Sequence, residues 1–216
     1  MYIIACETLR PELTAVMREQ GRPYPAAWIP AEKHSRTDLL RECIQSAVDA
    51  VPVPYTAVLL AFGFCGNSLA GIQARNQTLV LPRTADCIPL FLGSQSARNA
   101  YGPGTYFFTE GHLRSKNSLL SDLSRCVQKY GPEDGTALAQ ELLKHYTAFA
   151  VIDTGASNAQ SIAEEIKPYA DLVRLPVSTI PGNIRLLREL LAGNWNNQDF
   201  LVIPPGKTIS LEDTFS

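Results

Sequence analysis

Residues 57–93 read AVLLAFGFCGNSLAGIQARNQTLVLPRTADCIPLFLG and decide the fold of this chain. The first run, Ala57 to Phe62, is apolar throughout and has the length of a strand, which is typical of a central strand in a parallel sheet covered on both faces. Gly63 to Asn67 breaks this run, and its glycines allow a sharp turn or the close approach of a ligand. The second run, Thr78 to Leu81, leads shortly to Cys87. A cysteine therefore follows each of two predicted strand ends.

The composition is that of a globular chain without a basic surface. With 216 residues and 45% hydrophobic content, the chain can bury a substantial core, either as a single α/β domain over residues 1–216 or as two lobes, residues 1–130 and 136–216. The formal net charge is −2, and no cluster of lysine and arginine alternates with aromatic residues. We therefore expect no nucleic-acid partner, because phosphate backbones select basic surfaces.

The sequence also predicts the compartment in which the protein works. No apolar run approaches the roughly 20 residues that span a bilayer, and the N-terminus, MYIIACETLRPE, lacks the basic start of a signal peptide. The five cysteines have no regular spacing, which fits a compartment where thiols stay reduced. We expect a cytoplasmic protein with no membrane partner.

Strand-like and helix-like segments alternate along the rest of the chain. In the last third, the order strand, helix, strand, helix, strand predicts a right-handed parallel series. The expected fold is α/β, with a mainly parallel sheet and flanking helices, and two Rossmann-like lobes are the alternative organisation. Outside residues 57–93, strands are predicted at residues 1–5, 24–29, 105–109, 149–153, 172–177 and 199–206.

Capping residues and glycines predict several helix boundaries. Thr8 is expected to cap the first helix, and Ser35 or Thr37 the second. Residues 88–100 are expected to form one short helix, which aims its N-terminus at the turn before it. Gly131 to Gly135 is the clearest linker in the chain.

Soft metal ligands follow several of the predicted strands. In an open α/β sheet, ligands bind beyond the carboxyl ends of the parallel strands, so side chains at these ends can meet. Thiolate and imidazole groups suit zinc, and the sequence therefore predicts a zinc site. An iron–sulfur cluster is the weaker alternative, because the cysteines are not clustered along the chain. The residues predicted to bind the metal are Cys6, His34, Cys65 and Cys87.

A second set of polar residues and glycines is predicted to bind a small ligand. Some flank the two cysteines or follow the strand at residues 105–109. Others form turns before helices in the last third, where backbone N–H groups can hold an anionic or polar group. An ordinary strand-to-helix turn is the simpler interpretation of those turns. The predicted ligand-binding residues are Gly66, Asn67, Asp86, Glu110, Asp153, Gly155, Gly182 and Asn183.

A cysteine-dependent enzyme is the alternative to a metal- or ligand-binding protein. Its nucleophile would be Cys65 or Cys87, activated by a helix N-terminus or by His34. Such an enzyme needs a cleft and a thiol of lowered pKa. The sequence contains no motif for dinucleotide binding, for a P-loop or for a hydrolase nucleophile elbow.

The remaining thiols and one histidine have simpler interpretations. Cys43 and Cys126 lie inside predicted helices, and we expect both to be buried packing residues. For His112, which follows the strand at residues 105–109, exposure at the surface is the simplest interpretation.

Several motifs together resemble a known prokaryotic family. They are CETLRPEL, AEKH, FGFCGN, LPRTADCIPLFLGS, GPGTYFFTEG and LLAGNWNNQDFLVIPPG. The chain is similar over nearly its whole length to the family designated domain of unknown function sixteen thirty-eight. The resemblance implies no established activity.

Members of that family are often encoded beside corrinoid-dependent methyltransferases, so the resemblance implies an accessory role in one-carbon methyl transfer. Proteins of the corrinoid methyltransferase system are therefore expected partners. The chain lacks the D-x-H-x-x-G signature of corrinoid carriers, since His34 and His112 stand in different contexts. We do not expect it to be the corrinoid carrier itself.

Overall fold

A computed structural model describes residues 1–196 and 198–214 of the chain, and its strands form two sheets. The strands are, in chain order, Tyr2–Cys6 (β1), Ala26–Ile29 (β2), Ala57–Ala61 (β3), Thr78–Pro82 (β4), Thr105–Phe108 (β5), Ala148–Asp153 (β6), Val177–Pro181 (β7) and Phe200–Ile203 (β8). The larger sheet has the order β2-β1-β3-β4-β8, and the smaller sheet has the order β5-β6-β7. The predicted α/β fold with a mainly parallel sheet is confirmed.

Helices flank both sheets. They are Arg10–Glu19 (α1), Thr37–Asp49 (α2), Ile88–Leu92 (α3), Gln95–Asn99 (α4), Glu110–Arg114 (α5), Leu119–Tyr130 (α6), Pro132–Leu142 (α7), Ala159–Val173 (α8) and Arg185–Ala192 (α9). Short 3-10 turns occupy Glu7–Leu9, Ala31–Ser35 and Glu212–Thr214. None of the helices in the described ranges combines the length and the apolar character that crossing a membrane requires.

The larger sheet is parallel except at one edge. β1 pairs in parallel with β2 and β3, and β4 pairs in parallel with β3. Every residue of β3 is buried, as predicted for a central strand. β8 pairs with β4 and runs antiparallel to it, so the predicted parallel series is wrong for its last strand. The reason lies in β7, which is largely exposed and ends the smaller sheet, whereas the apolar β8 is mostly buried against β4.

The smaller sheet packs into a different core on each of its faces. Phe107 and Ile152 belong to the core that surrounds the larger sheet. Phe149 and Val151 alternate with them along the strands and pack with α6, α7 and α8 on the other face. The two lobes at residues 1–130 and 136–216 stay a prediction, and the smaller sheet takes β5 from the first of these ranges and β6 and β7 from the second.

The predicted helix caps are wrong. Thr8 lies in the 3-10 turn before α1, and no side-chain hydrogen bond caps that helix. The Thr8 hydroxyl lies instead 3.1 Å from Cys6 Sγ. Thr8 therefore hydrogen-bonds to the thiol at the end of β1 and not to a backbone N–H group of α1. Arg36 occupies the cap position of α2 without a side-chain bond, and neither Ser35 nor Thr37 caps the helix.

The helix predicted over residues 88–100 is broken into α3 and α4. Gly93 adopts a left-handed φ of 86° and ends α3 there. A Cβ at this position would also lie 2.8 Å from the Asn183 side chain. Both the backbone conformation and the lack of space therefore require glycine.

Two boundaries in the second half of the chain also differ from the prediction. Residues 131–135 are mostly helical rather than a linker, because Pro132 begins α7, and proline is favoured at the first position of a helix. The strand predicted over residues 172–177 is also misplaced. α8 continues to Val173, and β7 begins only at Val177.

A close backbone contact joins the smaller sheet to the end of β1. A Cβ added to Gly111 would lie 1.9 Å from the Thr8 carbonyl oxygen, so α5 rests directly on the turn after β1. A second contact joins α1 to the turn after β6, where Thr154 Oγ1 donates to Glu12 Oε1 at 3.0 Å. Glu12 is buried, and burial raises the pKa of its carboxyl.

Replacing Gly111 tests this contact. We expect Gly111→Ala to lower the free energy of unfolding by about 2–3 kcal/mol, because the methyl group must displace the Thr8 backbone. The matched control is Gly104→Ala, whose methyl group meets the Thr147 hydroxyl at 2.8 Å and no backbone atom closer than 3.6 Å, and we expect a change within about 1 kcal/mol. Urea denaturation measures both variants, and equal stabilities would contradict the contact.

Candidate functional site

Three cysteines and a histidine lie beyond the carboxyl edge of the larger sheet. Cys6 is the last residue of β1, and His34 lies in the 3-10 turn after β2. Cys65 and Cys87 follow β3 and β4. These four strands are adjacent and parallel, so their carboxyl ends lie side by side. We call Cys6, His34, Cys65 and Cys87 the thiol cluster.

Backbone hydrogen bonds hold the two turns after β3 and β4 against each other. Phe64 N donates to Thr84 O at 2.8 Å, and Cys65 N donates to Ala85 O at 2.9 Å. These bonds continue the pairing of the two strands beyond their ends. They place Cys65 beside the turn that carries Cys87.

The turn after β3 depends on glycine and on an uncommon cysteine conformation. A Cβ on Gly63 would lie 2.1 Å from backbone atoms of Asp86, so the two turns can approach this closely only because residue 63 has no side chain. Cys65 has a φ of 41°, in the left-handed region that few residues other than glycine adopt. Such strained residues concentrate at functional sites.

Cys65 and Cys87 differ strongly in acidity. Contact with the Cys87 thiol, followed by contact with His34, lowers the pKa of Cys65 to about 6 despite its burial. The pKa of Cys87 is raised well above its usual range by contact with Cys65 and by burial. At neutral pH the pair therefore shares one thiolate and one proton, and the nearby His34 favours the negative charge on Cys65.

His34 supplies the positive charge of the thiol cluster. Burial disfavours its charged form, but the Cys6 and Cys65 sulfurs outweigh this effect and raise the pKa of His34 to about 10. His34 Nδ1 donates to Ala31 O at 3.1 Å, which leaves Nε2 for the thiols. Nε2 has no hydrogen-bond partner of normal geometry among the described residues, so we attribute the effect of the sulfurs to electrostatic attraction rather than to an aligned hydrogen bond.

His112 is the residue of this site that sequence reasoning missed. It is partly buried rather than exposed, and its Nε2 lies 3.8 Å from Cys87 Sγ. Thr109 caps α5 and contacts His112 Nδ1 at 2.9 Å, which fixes the ring. Burial, aided by the charge of His34, lowers the pKa of His112 to about 4, so the imidazole is neutral at neutral pH. The Thr-x-x-His capping pattern directly after a strand was the available signal.

A cavity of about 250 Å³ opens beside the thiol cluster, between the end of the larger sheet and the α5–α6 region. Burial raises the pKa of Tyr106, one of its aromatic residues, to about 12 and keeps its hydroxyl protonated. Cys65 is not part of this lining. The lining residues are Cys6, Thr8, Ala31, His34, Cys87, Tyr106, Phe108, His112, Ser115, Asn117, Ser118 and Leu119.

The predicted ligand-binding residues near the cysteines do not line the cavity. Asp86 Oδ1 accepts from Ile88 N at 2.8 Å at the start of α3, which is a structural role. Glu110 pairs with Arg114 at 2.9 Å. Gly66 and Asn67 are exposed, with left-handed φ angles, in the turn after Cys65. None of Asp86, Glu110, Gly66 and Asn67 lines the cavity.

The predicted ligand-binding turns of the last third contact each other and other backbone. Asp153 Oδ1 accepts from Gly155 N at 3.1 Å, and Gly182 N donates to Asp153 O at 2.8 Å. Asn183 Oδ1 accepts from Arg185 N at 2.9 Å. These hydrogen bonds support the simpler interpretation, in which both turns shape the backbone.

The two remaining cysteines lie on helices away from the cavity lining. Cys43 on α2 packs against the larger core, and Cys126 lies on α6. Both are partly buried, whereas the sequence predicts buried packing residues. They serve as internal controls for experiments on the thiol cluster.

The chain as described is not arranged as a finished metal centre. Across residues 1–196 and 198–214, no three His, Cys, Asp or Glu side chains are spaced as ligands of one metal ion. The zinc site formed by Cys6, His34, Cys65 and Cys87 stays a prediction.

The acidity of Cys65 is directly measurable. Its pKa is lowered, so the thiolate should form as the pH rises through about 6, and the ultraviolet absorbance of thiolate anions records this step. Cys87→Ala removes the contact that lowers the pKa most and should move the step to higher pH. Cys43→Ser is the control and should leave it unchanged. A wild-type protein without a thiolate step below about pH 8 would contradict the described pair.

A comparison with protein families assigns the chain to one family. A family model described as "Protein of unknown function (DUF1638)" matches residues 28–191, which is well over half of the chain. No curated protein and no solved structure matches the chain. The protein therefore belongs to the DUF1638 family, as its motifs indicated.

Proposed function

We propose that the protein is a cysteine-dependent enzyme whose nucleophile is provided by the Cys65–Cys87 pair. The observation that carries this proposal is the contact of Cys65 with both the Cys87 thiol and the His34 imidazole, which lowers the pKa of Cys65 to about 6. The thiolate, not the thiol, is the nucleophile in cysteine chemistry. At neutral pH the pair therefore holds the reactive species.

Each neighbour of Cys65 has a distinct task in this proposal. His34 remains an imidazolium and balances the negative charge of the thiolate. The Cys87 thiol contacts the same sulfur and supplies a proton that can move within the pair. His112 stays neutral, so it adds no charge to the cavity. The arrangement follows the general pattern in which an activated cysteine is paired with a histidine that a third group orients.

Alkylation kinetics test the nucleophile. At pH 6, iodoacetamide should modify one cysteine of the native protein roughly tenfold faster than an ordinary thiol, since the larger thiolate fraction outweighs the lower intrinsic reactivity of an acidic thiol. Cys65→Ser should abolish this fast phase. Peptide mass spectrometry identifies the modified cysteine.

Cys126→Ser is the matched control for this experiment. It replaces a partly buried cysteine on α6, and the fast phase should remain at its wild-type rate. A fast phase that survives Cys65→Ser, or one that is absent from the wild-type protein, would contradict the proposal.

Zinc binding is the second candidate function. One observation favours it, because the thiol cluster brings three sulfurs and a buried His34 Nε2 without a hydrogen-bond partner to one edge of the sheet. Thiolate and imidazole are the ligands zinc prefers. The four side chains would have to close around the ion, since they are not spaced as ligands as they stand. The accessory role in corrinoid-dependent methyl transfer, which the family resemblance implies, likewise stays a prediction.

Metal analysis separates the two candidates. If zinc is the natural occupant, elemental analysis of protein purified without a histidine tag should find close to one equivalent, and Cys87→Ser should lower metal content and thermal stability together. If the thiols are catalytic, the protein should contain far less than one equivalent, and the variant should keep its stability. Zinc that blocks alkylation until a chelator is added would favour the metal site.

A further inference from the structure

We propose that the cavity beside the thiol cluster binds a small aromatic amide. This inference goes beyond the proposed function, because it concerns a binding site and does not need a reactive thiol. Two features of the cavity carry it, namely hydrogen-bonding groups without a partner among the described residues and an apolar wall that contains aromatic rings.

Several elements of the fold meet around the cavity. Cys6 ends β1, and His34 lies in the 3-10 turn after β2. Tyr106 lies on β5, His112 on α5, and Leu119 begins α6. The volume of about 250 Å³ lies below the range of sites for drug-sized ligands. A ligand with a single ring and a short polar group therefore suits the size of the cavity.

Some polar side chains of the lining already have partners. The Thr8 hydroxyl lies 3.1 Å from Cys6 Sγ, and Ser115 Oγ donates to His112 O at 2.8 Å. These hydroxyl groups are occupied by contacts within the protein. Other groups of the lining are therefore the ones available to a polar ligand.

His34 has a buried nitrogen without a partner. The centroid of its ring lies 6.5 Å from that of the stacked Phe62 ring, and its Nδ1 donates to Ala31 O at 3.1 Å. Nε2 is buried and has no hydrogen-bond partner in the part of the chain that the structure describes. Buried polar atoms without a partner are uncommon and cost stability. An atom held in this way therefore points to a partner that arrives with a ligand.

Two further groups of the lining are free to bind the same ligand. Tyr106 is partly buried and contacts other aromatic rings, and its hydroxyl makes no hydrogen bond within residues 1–196 and 198–214. Asn117 lies between α5 and α6 and is exposed, and its side-chain amide has no hydrogen-bond partner in the same ranges. The tyrosine hydroxyl can donate, and the asparagine amide can both donate and accept.

These three groups favour an amide as the polar part of the ligand. An amide carries both N–H donors and a carbonyl acceptor. It therefore matches His34 Nε2 whether this nitrogen carries a proton or a lone pair, so the inference does not depend on the protonation of the thiol cluster. The lining contains no Lys, Arg, Asp or Glu side chain, and a neutral ligand needs none of them.

The apolar part of the lining favours an aromatic ring. The ring centroids of Tyr106 and Phe108 lie 5.0 Å apart, and the ring planes are inclined by 48°. Leu119 adds an aliphatic side chain to this wall. Aromatic rings in tilted or edge-to-face arrangements attract each other beyond the effect of the area they bury. An aromatic ligand should therefore bind more tightly here than a saturated ring of similar size.

Binding of benzamide to the full chain tests the inference. Ligand-observed NMR and calorimetry should give a Kd on the order of 1 mM, as expected for a ligand of this size. Acetamide, which lacks the ring, and N,N-dimethylbenzamide, which lacks the N–H donors, should each bind at least severalfold more weakly. Cyclohexanecarboxamide, whose ring is saturated, should also bind more weakly than benzamide.

Three variants locate the binding site. Tyr106→Phe removes a hydroxyl and keeps the ring, and it should weaken benzamide binding roughly threefold to tenfold. The matched control is Tyr130→Phe, at an exposed tyrosine outside the lining, and it should leave the Kd unchanged. Leu119→Trp places a larger side chain in the cavity wall and should abolish binding. Thermal unfolding of each variant checks that it is folded.

Several results would overturn the inference. It fails if benzamide does not bind at concentrations up to about 10 mM, or if a folded Tyr106→Phe or Leu119→Trp variant binds it as tightly as the wild-type protein does. It also fails if acetamide or cyclohexanecarboxamide binds as tightly as benzamide.

The proposed function is tested separately from this inference. If iodoacetamide modifies Cys65 rapidly but benzamide does not bind, the nucleophile stands and the aromatic amide is refuted. If benzamide binds as described but Cys65 is not reactive, the binding site stands and the nucleophile is refuted.

Discussion

The candidate site depends on the close packing of two backbone turns. The chain leaves β3 through Gly63 and passes so near the Asp86 backbone that a Cβ would lie 2.1 Å from it. The two hydrogen bonds from Phe64 and Cys65 to the opposite turn then fix the register. A side chain at residue 63 would separate the turns and with them the two sulfurs, so the acidity of Cys65 follows from a backbone constraint.

A second close backbone contact brings α5 to the carboxyl edge of the larger sheet. Gly111 allows α5 to rest on the turn after β1, and this contact carries His112 to Cys87. The cavity therefore has one wall from the carboxyl edge of the larger sheet and another from β5, α5 and the segment that leads to α6. The lining includes the imidazolium of His34, and the thiolate of Cys65, which lies outside the lining, offsets its charge.

Local patterns predicted the α/β fold and the grouping of four side chains at one edge of the larger sheet. Apolar runs located the strands, and the rule that parallel strands present their carboxyl ends at one edge grouped Cys6, His34, Cys65 and Cys87. β8 pairs antiparallel with β4 because that edge of the larger sheet can bury an apolar strand. The local sequence of β8 does not indicate which sheet edge it joins. Capping also depended on tertiary contacts, since Thr8 contacts a cysteine thiol instead of a helix end.

The missed histidine has a specific explanation. Glu110 and His112 both follow β5, and the sequence analysis predicts only Glu110 as a ligand-binding residue. Thr109 caps α5 and sets the helix so that Glu110 pairs with Arg114 at the surface while His112 turns inward. The direction of a side chain in the first turn of a helix depends on where the helix packs. Gly111 sets the position of α5 because it allows the helix to pack against the Thr8 backbone. The sequence alone does not show this contact.

The central claim is that Cys65 and Cys87 are adjacent thiols, and phenylarsine oxide tests it most directly because a single arsenic atom bridges two neighbouring sulfurs. The described arrangement predicts that the native protein binds a single equivalent tightly. Binding should be lost in Cys65→Ser and in Cys87→Ser but retained in Cys43→Ser and Cys126→Ser. Tight binding that survives both Cys65→Ser and Cys87→Ser, or its absence from the wild-type protein, would contradict the account.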